Sequence, residues 1–279
     1  MFNRFKKLMR AAQEITTSTD LEELFRVADI IERSVEIGDS PITPKDYQTF
    51  ASFLSGCMIS HPIHGLLPFK PYPFQSDVAN TIDQNRVTLI QSARQLGLST
   101  ILACYAAYSA LLEDNQTVVM IGSQYQHVCD QLRRAFVAID GHAGIEHVTR
   151  DMVRFSNGSV ILARAGNIRT TLAGIRPDVL IIDQANSISH AYIPEIMRIF
   201  ANNRMMKLVV QDCGGQSLND LLPTLYRDDL LPAGRVHLPW SVHPERDQKW
   251  EEDTRSIMGA RSFRQEHEAE TTSDVIWTK

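Results

Sequence analysis

The 279-residue chain is 43% apolar and 22% charged, an ordinary balance for a globular protein and enough for one large domain or a core with smaller appendages. A net charge of −5, from 28 basic and 33 acidic residues, excludes a global positive field of the kind that marks nucleic-acid binders. Four scattered cysteines (Cys57, Cys104, Cys129, Cys213) form no C-x-x-C pair, which argues against zinc and for a reducing compartment, and no apolar run reaches the roughly 18 residues that would span a membrane.

The start, Met1-Phe2-Asn3-Arg4-Phe5-Lys6-Lys7, is basic but lacks the apolar region and cleavage site of a signal peptide. Residues 1–65 are expected to be a helical subdomain. Thr19 and Glu22 fit a capping box, and Leu21, Leu24, Phe25, Ala28, Ile31 and Val35 then fall on one helical face. Gly38 is a plausible stop, and Thr43-Pro44 a second helix start. The prolines between 60 and 74 read as a linker.

From 75 to 212 helical and strand-like patterns alternate. Helices are expected over 76–84, 98–113, 124–139 and 190–203, and strands over 86–91, 116–122, 152–155, 159–164, 178–183 and 206–211. That alternation implies a mainly parallel sheet with helices on both faces. Asn157-Gly158 reads as a tight hairpin turn. The core is placed at 66–215, and 216–279 is a C-terminal lid or linker with a short helix near 217–229 and another within 245–268. Arginines cluster over 131–180 (among them Arg133, Arg134, Arg150 and Arg154) and read as a solvated face.

Two segments carry chemistry. Val87-Thr88-Leu89-Ile90 runs through Gln91-Ser92-Ala93-Arg94-Gln95-Leu96-Gly97 into the small-residue helix opened by Leu98-Ser99-Thr100. A helix N-terminus after a tight loop offers free N–H groups and a positive dipole end to phosphate. By itself this is also what an ordinary strand–turn–helix with a serine cap looks like. The second segment, Val179-Leu180-Ile181-Ile182-Asp183-Gln184, is an apolar strand closed by an acid at its carboxyl end, where ligands bind in parallel sheets.

In this order the motifs resemble the ATPase domain of the large terminase subunits of tailed bacteriophages. Ser92 to Thr100 is similar to their Walker A segment, Pro73-Phe74-Gln75 to their adenine-contacting element, and Val179 to Gln184 to their Walker B strand. Asn157-Gly158-Ser159, Leu172-Ala173-Gly174 and Phe263-Arg264-Gln265-Glu266 follow the order of further family elements, so the likeness spans roughly 70–270. It implies a P-loop, RecA-like (ASCE-type) α/β fold and a DNA-packaging motor of the host cytoplasm. ATP and Mg2+ are its implied cofactors. Double-stranded DNA, the portal, the small terminase and a homo-oligomeric ring are its implied partners. The chain ends at Lys279, so a nuclease domain is expected to be absent.

The resemblance assigns Phe74 and Gln75 to adenine, Gly97, Ser99 and Thr100 to phosphate, and Arg94 to the γ-phosphate. It assigns Ser99 and Asp183 to the metal. Ala173 stands where the family often has arginine, Gln211-Asp212-Cys213 replaces a threonine-rich segment, and two chemically decisive positions also depart from it. Leu98 stands where the phosphate-binding lysine is expected, and Gln184 stands where a catalytic glutamate is expected. Nucleotide binding with slow or absent hydrolysis is the implied state. A non-catalytic assembly partner and a degenerate helicase-like DNA-binding module are the alternatives. The histidines show no metal-ligand spacing and read as surface or hydrogen-bonded residues, and Trp240 and Trp250 as packing anchors.

Overall fold

The computed structural model describes residues 47–61, 65–122, 124–139, 144–166, 168–213, 221–227 and 232–269. The expected helices around Thr19 and Thr43 lie outside them. Among the described residues no helix is long and apolar enough to cross a membrane. The first element is a short helix, α1 (Phe50–Leu54), capped by Thr49 and burying Phe50, Phe53 and Leu54. The proline-dense stretch is not a plain linker. It contains an antiparallel pair, β1 (Met58–His61) against β2 (Gly65–Pro68). Pro68 fits because it closes a strand in a sheet that has only edges.

The core then runs α2 (Pro73–Gln84), β3 (Val87–Ser92), α3 (Leu98–Leu112), β4 (Thr117–Gly122), α4 (Tyr125–Ala138), β5 (Ile145–Val148), β6 (Met152–Phe155), β7 (Val160–Ala165) and α5 (Ile168–Thr171). It continues with β8 (Val179–Ile182), α6 (Ile193–Asn202), β9 (Lys207–Cys213), α7 (Leu221–Arg227), β10 (Gly234–Leu238), α8 (Gln248–Met258) and α9 (Ala260–Glu266). Helix α2 begins three residues before the periodicity places it, because Pro73 serves as its first residue.

One sheet holds eight strands in the order β10-β3-β9-β8-β4-β7-β6-β5. Every pairing from β10 to β7 is parallel, and β6 and β5 close the far edge antiparallel. β9 stands between the two motif strands, β3 and β8. Both are buried along their length because both faces are covered. Ile90 and Ile181 enter the core packed by α1 to α4, while Leu89, Leu180 and Ile182 enter the one packed by α6 and α7.

Sequence pattern missed β5 and β10. β10 alternates exposed Arg235 and His237 with half-buried Val236 and is too short to show a clear run. It pairs in parallel with β3, from Gly234 beside Thr88 to Leu238 beside Ser92, so the C-terminal segment is fastened to the strand that leads into the Ala93–Gly97 loop. The expected C-terminal helix is two, α8 and α9, divided at Gly259 with φ +82°. Trp240, Trp250 and Phe263 hold them together, with ring centroids 5.5–6.2 Å apart.

Candidate functional site

Parallel strands deliver their carboxyl ends to one edge of the sheet, and the two motifs meet there. After β3 the chain bends through Ala93–Gly97 into α3. Gln95 (φ +62°) and Gly97 (φ +76°) both take the left-handed conformation. Gly97 is required twice over: its φ disfavours a side chain, and a Cβ there would stand 2.8 Å from Gln75 Nε2. The N–H groups of Gln95, Leu96 and Gly97 have no acceptor among the described residues. A turn with successive free N–H groups at the start of a 15-residue helix is an anion-binding concavity.

The loop is braced through its carbonyls. Gln75 Nε2 donates to Leu96 O at 2.9 Å while its Oε1 accepts from Tyr72 N at 2.9 Å. Arg246 Nη2 donates to Arg94 O and Gln95 O, each at 3.2 Å, and its guanidinium lies over the Trp250 ring. The C-terminal segment therefore grips the loop from outside.

Asp183 joins the second motif to the first. Its side chain is wholly buried, and Oδ2 accepts from Ser99 Oγ at 2.8 Å. The same oxygen accepts from Gln131 Nε2 and lies 3.3 Å from His127 Nε2, and Oδ1 accepts from Gln184 N at 3.0 Å. A buried carboxylate beside a serine hydroxyl is the oxygen donor set that suits a hard cation such as Mg2+. The fit is direct for Ser99 and Asp183, since the two oxygens already adjoin.

The sequence-predicted residues are placed as follows. Gly97, Leu98, Ser99 and Thr100 line a cleft of about 180 Å³ at the loop. Leu98, where the resemblance expects a lysine, is only 4% exposed and joins the apolar core. Asp183 reaches that cleft through Ser99, and Gln184, next to it in the chain, holds a left-handed φ of +56°. Phe74 is buried beside the Tyr72 ring, and Gln75 is committed to the loop backbone. Arg94 does not line the cleft. It is 54% exposed and turns to Glu266, with Nε 3.6 Å from the carboxylate.

Sequence reasoning missed a second set. His127, Gln131 and Arg134 lie four and three residues apart on α4 and so on one helical stripe. The first two hold Asp183 and the third lines the cleft. Gly122, ending β4, lets α4 come this close, because a Cβ there would lie 2.7 Å from Val128 Cγ2. The signal available was polar residues at i, i+4 and i+7 beside apolar Val128, Leu132 and Ala135, a pattern that also describes any amphipathic helix. Gln211 lies on β9. It is 1% exposed, donates through Nε2 to Ser92 Oγ at 3.0 Å, and leaves its Oε1 without a partner among the described residues. Burial holds the Cys213 thiol in the same wall above the ordinary thiol range.

No protein-family model matches the chain. Solved structures do. The large terminase ATPase domain of Thermus phage P74-26 superposes with a TM-score of 0.61 at 18% identity, covering 72% of this chain and 94% of that one. The bacteriophage HK97 large terminase gives 0.64 at 16% identity, covering 80% of this chain and 55% of that one. The fold is that of a large terminase ATPase domain. A large terminase from another thermophilic bacteriophage, solved in complex with ADP, gives 0.53 at 11% identity over 68% of this chain and 49% of that one. This chain thus spans about half the length of the HK97 large terminase and of the ADP-bound one, and nearly all of the P74-26 ATPase domain.

Proposed function

We propose that this chain is the nucleotide-binding domain of a viral DNA-packaging motor of the large terminase kind, with ATP hydrolysis impaired. The observation that carries the reading is the Ser99 Oγ–Asp183 Oδ2 contact at 2.8 Å, which closes two sequence-distant motifs into one metal-and-phosphate corner. In this reading the free N–H groups of Gln95 to Gly97 and the dipole of α3 receive the phosphates, with Thr100 beside them. Ser99 and Asp183 hold Mg2+, which when bound neutralises charge on the β- and γ-phosphate oxygens. Phe74 and Gln75 stand on the adenine side. Arg94 reaches the γ-phosphate after leaving Glu266.

Leu98 provides no charge for the phosphates, and Gln184 can orient a water but cannot take its proton at neutral pH. Slow hydrolysis follows from both. Double-stranded DNA, a portal, a small terminase and sister copies in a ring are the proposed partners, in the cytoplasm of an infected host. The negative net charge places any DNA contact on a local surface.

Titration with Mg-ATP by calorimetry tests the reading. The parent is expected to bind, and Ser99→Ala to lose affinity by about tenfold, the worth of one charge-assisted contact. A parent that does not bind Mg-ATP, or binding indifferent to both Ser99→Ala and Asp183→Asn, would contradict it.

A further inference from the structure

We infer that Arg134 supplies, from α4, the phosphate-binding positive charge that Leu98 does not. The inference rests on the nucleotide-site reading above and names the residue that completes that site. Among the described residues Arg134 is the one charged residue in the lining of the loop cleft, alongside Gly97, Leu98, Ser99 and Thr100. Its guanidinium is exposed and has no hydrogen bond or ion pair among the described residues, unlike neighbouring Arg133, which pairs with Asp130 at 3.2 Å. Its direction is fixed by its helix. His127 and Gln131, on the same stripe, are anchored on Asp183, so that stripe faces the corner where Ser99 and Asp183 meet.

The other cations are spent elsewhere or missing. Leu98 is apolar and buried, Arg94 is turned to Glu266, and Arg246, which does not line the cleft, gives its Nη2 to the loop carbonyls. A second observation in the cleft points to a ligand. Gln211 is buried in its wall with its Oε1 unpartnered, an acceptor that a bound water or hydroxyl would satisfy. The ligand that suits free N–H groups, a serine hydroxyl and one unpaired guanidinium is a polyphosphate. Arginine is the stronger choice at such a position, since its planar fork pairs two phosphate oxygens at once.

The test is a set of titrations with AMP, ADP and ATP, all with Mg2+, on the parent, Arg134→Ala, Leu98→Lys and the double variant Arg134→Ala/Leu98→Lys. Arg134→Ala is expected to weaken ATP binding by about 10- to 100-fold, ADP less and AMP little, and Leu98→Lys to restore most of the loss in the double variant. A merely structural role would weaken all three nucleotides alike and would not be rescued. Circular dichroism checks that each variant is folded; Arg134, exposed and unpaired, leaves the core intact when truncated. If Arg134→Ala binds ATP like the parent while Ser99→Ala does not, the Arg134 assignment falls and the nucleotide site stands. If the parent itself binds none of the three, both fall.

Discussion

The loop after β3 and the stripe on α4 approach one cleft from two sides. The loop side carries the first of the two sequence motifs, yet Leu98 is buried where the resemblance expects a lysine and Arg94 is turned to Glu266. The α4 side displays no motif, yet it holds Asp183 through His127 and Gln131 and presents Arg134 to the cleft. A motif therefore reports the backbone of a site, such as its turn, helix start and strand end. The charges that act there can come from any element the fold brings alongside.

The largest test of that division removes the residue where the two sides meet. Asp183→Ala is expected to abolish Mg-ATP binding and to cost about 3 kcal/mol, because Ser99, Gln131 and the Gln184 N–H lose a buried acceptor together. Urea unfolding beside a nucleotide titration reads both. If stability holds and only binding fails, Asp183 works as a ligand without bracing α4. Next in size is Leu98→Lys, which places an ammonium at a 4% exposed position. The ligand-free variant should be less stable by about 1–3 kcal/mol, with Mg-ATP recovering much of the loss as a rise in melting temperature. A variant equally stable with and without nucleotide would mean that position 98 does not see phosphate.

Gly97→Ala probes the loop side alone. The left-handed φ of +76° and the Gln75 amide 2.8 Å from the new Cβ are expected to cost about 1–2 kcal/mol and to weaken nucleotide binding, read by thermal unfolding and titration. No change in either would show that the bend tolerates a side chain.

The smallest effect concerns the segment that grips the loop. Burial, reinforced by Arg246, holds the His267 imidazole below the ordinary histidine range. Below about pH 6.5 the unfolded chain takes up this proton more readily than the folded one. The stability from neutral His267 is therefore full above that pH and declines as the solution is acidified. In His267→Gln the fall in melting temperature between pH 7.5 and 5.5 should be smaller than in the parent. An unchanged slope would assign the acid sensitivity to other groups.

What could be read from the sequence divides along the same physical lines. The strands 152–155 and 178–183 and the helices after 98 and 124 were legible because periodicity and apolar runs are local properties. β10 was not, because an edge strand with exposed Arg235 and His237 carries little apolar signal, and its place beside β3 is set by packing. The loop, Ser99 and Asp183 were legible as motif residues. Arg94 meeting Glu266, Gln75 bracing Leu96 and the α4 stripe facing Asp183 depend on residues 21 to 172 positions apart, which no local pattern encodes.

The measurement that bears most directly on a nucleotide site with impaired hydrolysis is steady-state ATP turnover by the parent beside Gln184→Glu and Leu98→Lys/Gln184→Glu. The parent should bind Mg-ATP but turn over slowly, and restoring the carboxylate should raise the rate by about 10²-fold or more, the usual worth of a general base. A parent that hydrolyses ATP as fast as either variant would contradict the proposed role of Gln184 in slowing hydrolysis.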